Sequence, residues 1–161
     1  MGAILTCMLL LAGSIPACSQ AEKVKATSPV QPEVDAVAAK LGNGEIGRIE
    51  IFQIPDEVLT RTRITPEMLE RQFDYRLTIR DVRGGAYQQT LTEIMRSIAV
   101  QPTAEMADLR WGVIFYNIDE SRALSLYFDK SGSNGAVGMT PVAFKGDLFK
   151  WLHSNFSNGF R

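Results

Sequence analysis

Few side chains in this chain are able to carry out bond chemistry. His153 is the single histidine, and both cysteines, Cys7 and Cys18, fall within the first eighteen residues. One imidazole, with no thiol in the remainder, cannot assemble a Cys-His pair or a multi-histidine metal site. His153, beside Trp151 on a stretch of helical character, is expected at or near the surface. Carboxylates are the remaining candidates: Asp74, Asp81, Asp119 and Asp129 sit near turns, and two of them brought together could act as acid and base in sugar cleavage. Their spacing specifies no pair. Gly84-Gly85 and the glycines at 132 and 135 lack the pattern of a nucleotide loop and read as turns. The run from Asp129 to Gly135 offers only Asp129 and Asn134 as strong oxygen ligands, which falls short of a calcium loop. The residues therefore point away from catalysis and cofactors, toward recognition by shape and charge.

Charge narrows the partner. Seventeen Lys and Arg against eighteen Asp and Glu leave a formal charge of -1, with no long block of either sign. Nucleic acid is not an expected partner, because neutralising phosphates requires a basic face. At 161 residues the chain suits one domain plus a tail, long enough to bury a core without disulfides or metal.

The first 21 residues carry no charged side chain and include the apolar run Ala3 to Gly13. That run is too short for a permanent membrane helix, which needs about 20 apolar residues, and suits the core of a signal peptide. Ile15-Pro-Ala-Cys18 resembles the lipobox of bacterial lipoproteins. The resemblance implies cleavage before Cys18 and a diacylglyceryl anchor on it, with Ser19 in the next position similar to lipoproteins sorted to the outer membrane. Secretory cleavage near Ala17 or Ala21, leaving a soluble periplasmic protein, stays open; the fit of Met1-Gly to an N-myristoylation pattern is set aside because an apolar run follows it directly. The expected organisation is a signal peptide over 1–17, a tether over 18–31 and a single domain over 32–161.

The domain must be built around its densest β-branched and aromatic stretch, Asp108 to Asp119 followed by Ala123 to Asp129, which reads as a β-hairpin turning at Asp119-Glu-Ser-Arg122. Trp111, Val113 and Phe115 point one way and Ile114, Tyr116 and Ile118 the other, so this strand is expected to be covered on both faces. The second strand sets Leu124, Leu126 and Phe128 against Ser125, Tyr127 and Asp129, and one of its faces is expected to meet water. Alternation predicts further strands over 48–54 and 75–80, the latter with Arg76, Thr78 and Arg80 outward.

Helical spacing predicts four helices. The first spans 32–41, its docking left open; a brief one follows Thr65-Pro66, with Ile64 stapled on Leu69. A third runs over 86–99, with Met95 as core filler and Gln88, Gln89, Thr92, Glu93 and Arg96 wet, and the last packs Leu148, Trp151, Leu152 and Phe156 on the sheet. Residues 101–107 read as a connection, and 136–144 as a strand pair or one bent edge strand that Pro141 keeps off the sheet centre. Together these predict an α+β fold, a mainly antiparallel sheet of about five strands with helices on it.

The segment from Trp111 to Leu152 resembles C-terminal portions of small bacterial lipoproteins that act as immunity proteins against secreted antibacterial toxins. The resemblance spans about a quarter of the chain. It implies a periplasmic inhibitor that blocks a toxin delivered by a type IV or type VI secretion system, with a protein as partner and the membrane contacted through the anchor. Loop tips are then the candidate contacts: Asp119, Glu120 and Arg122 on one turn, and Asp129, Lys130, Ser133 and Asn134 on another. As ordinary solvated turns they need no such role, and Trp111 is a core residue before it is an interface anchor. Two other classes stand beside this one: a structural lipoprotein of a secretion or pilus assembly, and a carboxylate-based cell-wall hydrolase. A toxin gene next door would favour the first and a pilus or secretion operon the second.

Overall fold

The computed structural model describes residues 28–156. The leader, Cys18 and the tether as far as residue 27 lie outside the described residues. Within them the order is α1 (Gln31–Gly42), β1 (Ile46–Gln53), α2 (Pro66–Gln72), β2 (Tyr75–Arg80), α3 (Ala86–Ser97), β3 (Ala99–Pro102), β4 (Leu109–Asn117), β5 (Arg122–Asp129), β6 (Asn134–Val137), β7 (Thr140–Lys145) and α4 (Leu148–Phe156). The strands form one antiparallel sheet in the order β2-β1-β4-β5-β6-β7-β3. The class is α+β, with seven strands rather than five among the described residues. The strand missed in the sequence is β3: four residues with one buried side chain, Val100, are too short for alternation to show.

The sheet has two unequal cores. On one face Ile49 and Ile51 of β1, Trp111, Val113 and Phe115 of β4, and Leu124, Leu126 and Phe128 of β5 meet α1, α3 and α4. Helix α1 docks fully through Val34, Val37, Ala38 and Leu41, and the packing begins upstream of it, with Ser28 and Val30 buried at the end of the segment read as a tether. Met95 is buried as a core filler, and His153 lies on the exposed side of α4.

Among the described residues the opposite face carries only α2. Thr65 caps this helix by accepting from the Met68 N–H at 3.4 Å, and Ile64 and Leu69 are both buried in the smaller core as the staple requires. Gly112 lets the helix sit close, since a Cβ there would lie 3.3 Å from Leu69 Cδ2 and 3.2 Å from Tyr127 Cδ1 and would push those side chains back by a few tenths of an ångström. Burial of one leucine is worth roughly 1.5–3 kcal/mol, a large share of what holds so short a helix.

Three expectations are corrected. The second hairpin strand is wet only near its ends: Ser125 and Tyr127 are buried on the side that alternation left polar, beside α2, while Arg122 at the strand's start is exposed. Thr92 and Gln88 of α3 are not plain solvated surface, because α1 lies against α3. Thr92 is 6% exposed, and Gln88 Nε2 donates at 2.8 Å to the Leu41 carbonyl, which also accepts from the Gly44 N–H at 3.0 Å, so the side chain ties α3 to the end of α1. Pro141 lies within β7, a strand flanked on both sides, rather than in an edge strand. It is tolerated because its nitrogen faces β3 just where β3 ends, while its carbonyl accepts from Thr103 N–H at 3.1 Å.

Candidate functional site

Where α2 stops, the second face of the sheet stays open. Register aligns its side chains in rows across the strands. One row runs Arg80, Arg48, Tyr116, Arg122 over β2, β1, β4 and β5, and the next runs Thr78, Glu50, Ile114, Ser125. Arg80 directly opposite Arg48 is a cross-strand pair of like charges, an arrangement that destabilises a sheet unless acids intervene. Local rules are broken in this way most often where a surface has a task.

Glu50 is the acid at the centre. Its side chain is 5% exposed, and its carboxylate accepts from Arg48 Nη1, from Arg76 Nη2 and, at 3.2 Å, from the Tyr116 hydroxyl. Arg48 lies over the Tyr116 ring at 3.7 Å from its centroid and reaches out to Glu120 through Nε at 2.8 Å. The Glu120 hydrogen bond, aided by the Glu50 charge, raises Arg48 above its usual range against the opposing effect of burial. A groove of about 860 Å³ lies over this network, lined by Gly47, Arg48, Glu50, Arg76, Thr78, Arg80, Asp81 and Glu120.

Beside it, Arg122 grips Glu70 of α2 with both terminal nitrogens, at 2.9 and 2.8 Å, and the Tyr127 hydroxyl donates to the same carboxylate. Burial pushes the Glu70 carboxyl up, but the bonds from Arg122 and Tyr127 outweigh it and leave it below the usual carboxylate range. Glu70 in turn raises Arg122, while burial first and Glu70 second push the Tyr127 phenol up.

The residues singled out in the sequence divide. Glu120 and Arg122 belong to this face, joined to Arg48 and Glu70. Asp119, in the same turn, closes it by accepting from the Ser121 N–H at 3.0 Å and the Ser121 hydroxyl at 2.5 Å, bonds that hold its carboxyl below the usual range. Asp129, Lys130, Ser133 and Asn134 lie at the other end of β5, about 23 Å away at 3.3 Å per residue, so the two turns do not form one surface. Asp129 is occupied internally, accepting from the N–H groups of Ser131, Ser133 and Asn134. Of the four carboxylates weighed as acid and base, Asp81 lines the groove, Asp119 closes a turn near the same end, and Asp74 and Asp129 stand at the opposite end of the sheet on strands three places apart in its order. Among the described residues no group of His, Cys, Asp and Glu could hold a metal ion.

Sequence reasoning missed Arg48, Glu50, Glu70, Arg76, Thr78, Arg80 and Tyr116 as a site. The outward alternation of Arg76, Thr78 and Arg80 was visible on their strand; the register that sets them beside Arg48, Glu50 and Tyr116 was not. No family model, curated protein or solved structure matches this chain.

Proposed function

We propose that this protein is a periplasmic inhibitor of the immunity type, lipid-anchored through Cys18, that blocks a secreted antibacterial toxin by occluding it. The observation that supports this reading is the open sheet face, where charged side chains are already clamped to one another. A surface on which Arg48, Arg76 and Arg122 are held by Glu50 and Glu70 loses little side-chain freedom when a partner binds, so more of the contact energy appears as affinity. Mixed charge across Arg48, Arg76, Arg80, Glu120 and Arg122 suits fast, selective docking of a complementary face. Glu50 already accepts from three donors, which fits a scaffold better than a proton-transfer group.

The test uses the secreted product of the neighbouring gene, directed to the periplasm with and without this protein. Protection by the parent, loss of protection on Arg80→Glu with Arg122→Glu, and release of the protein from the membrane fraction on Cys18→Ser are the expected results. A toxin that kills equally in both backgrounds overturns the proposal.

A further inference from the structure

The sheet has two free edges, and the chain treats them differently. On β3 the outward backbone groups belong to Val100 and Pro102, since the Thr103-to-Pro141 bond sets which residues face β7. The Val100 N–H is taken by Gln31 Oε1 at 2.9 Å, the Ile98 carbonyl by Gln31 Nε2 at 3.1 Å, and Pro102 has no N–H to offer. A side-chain amide and a proline thus close that edge, a known protection against unwanted strand pairing.

The β2 edge has no such cover. The bond from Ile54 N–H to the Arg110 carbonyl fixes the hydrogen-bonding phase of β1, so Tyr75, Leu77 and Ile79 pair with β1 while Arg76, Thr78 and Arg80 turn their N–H and C=O groups outward. Among the described residues nothing pairs with them. The same three residues line the groove with their side chains. Arg76 commits one N–H to Glu50, and Arg80 and the Thr78 hydroxyl make no hydrogen bond within the described residues.

We infer that the partner docks here by adding an extended strand with acidic side chains at alternate positions. Residues that exchange hydrogen bonds across an antiparallel pair share a face, so partner residues opposite Arg76 and Arg80 would lie beside the two guanidinium groups. Charge complementarity selects the occupant: Glu50 and Glu120 are spent on Arg48 and Arg76, which leaves Arg80 and the remaining Arg76 N–H groups to meet a partner, with Asp81 just past the end of the strand. A second copy of β2, paired about Thr78, would set Arg76 against Arg80 and Arg80 against Arg76, which repels. Backbone bonds then supply affinity and the arginines supply selectivity, as in strand addition generally. This deepens the inhibitor reading by naming its docking edge.

The test is an NMR titration of the ¹⁵N-labelled protein with a short peptide alternating Glu and Val, and with its Lys counterpart. Expected are shift changes and slowed amide exchange at Arg76, Thr78 and Arg80 with the Glu peptide alone. Thr78→Pro removes an outward donor that bonds nothing in the fold and should weaken binding about tenfold with the spectrum otherwise intact. Arg76→Glu with Arg80→Glu should transfer the preference to the Lys peptide, a check independent of how Thr78→Pro folds. No response to the Glu peptide, a response centred elsewhere, unaltered binding by Thr78→Pro, or a β2-mediated dimer each overturns the inference. A toxin still blocked by Thr78→Pro sinks the edge while sparing the inhibitor reading; peptide binding without toxin protection does the reverse.

Discussion

Replacing Glu50 by Gln tests the network at its centre. The substitution keeps the shape and an acceptor for Tyr116 but removes the negative charge between Arg48 and Arg76. Removing one partner of a buried ion pair typically costs about 3–5 kcal/mol. Here the loss is smaller, because Arg48, 18% exposed, keeps Glu120 and the Tyr116 ring, so its charge is not orphaned. Arg76 is 48% exposed and turns to water, so its share is that of a surface pair, at most about 1 kcal/mol. The net expectation is a destabilisation of about 2–3 kcal/mol, read as a fall in the urea midpoint with an unchanged slope. Double-mutant cycles with Arg48→Met and Arg76→Met should show stronger coupling of Glu50 to Arg48 than to Arg76, and the Arg48 coupling should resist salt. A cost below about 0.5 kcal/mol, or the reverse ranking, refutes the reasoning that burial makes Glu50 the anchor of this face.

Three further outcomes follow from the same geometry. Gly135→Ala places a Cβ 1.8 Å from the Tyr127 carbonyl oxygen, which is backbone and cannot yield, so a loss of at least about 3 kcal/mol is expected; Gly138→Ala meets nothing within 4 Å and should lose only about 1 kcal/mol for its positive φ. Gln31→Ala removes both bonds that close the β3 edge and should destabilise by about 1–2 kcal/mol while raising aggregation measured by light scattering. Because the Glu70 carboxyl is held low in the folded chain, its contribution is complete above its unfolded value near 4.5 and is lost as pH falls through the lower folded value. Urea midpoints at pH 7, 5 and 3 should therefore drop less steeply below pH 5 in Glu70→Gln than in the parent.

Much of the fold was legible in the sequence because its signals are local. Alternation in the hairpin, the Thr65-Pro66 start of α2 and the helical spacing of Leu91 and Met95 each depend on neighbours within a few residues, and each element formed where those patterns placed it, except that the helix expected over 86–99 stops at Ser97, with Ile98 extended and Ala99 already in β3. What local pattern could not carry was which polar positions end up covered. Thr92 and Ser125 read as wet because nothing near them in the chain reveals that α1 will lie against the first or α2 beside the second.

The candidate site marks the same boundary. Sequence by itself determined that Arg48 and Glu50 alternate with the apolar residues of their strand and that Arg76, Thr78 and Arg80 share the outward side of theirs, since a pleat allows only two directions for a side chain. Only the tertiary structure decided that these strands are neighbours and in what register, bringing Arg80, Arg48, Tyr116 and Arg122 into one row and leaving the β2 edge unpaired among the described residues. Register rests on the packing of whole faces and on turns far apart in the chain, so a one-residue slip invisible in any single strand would have scattered the row.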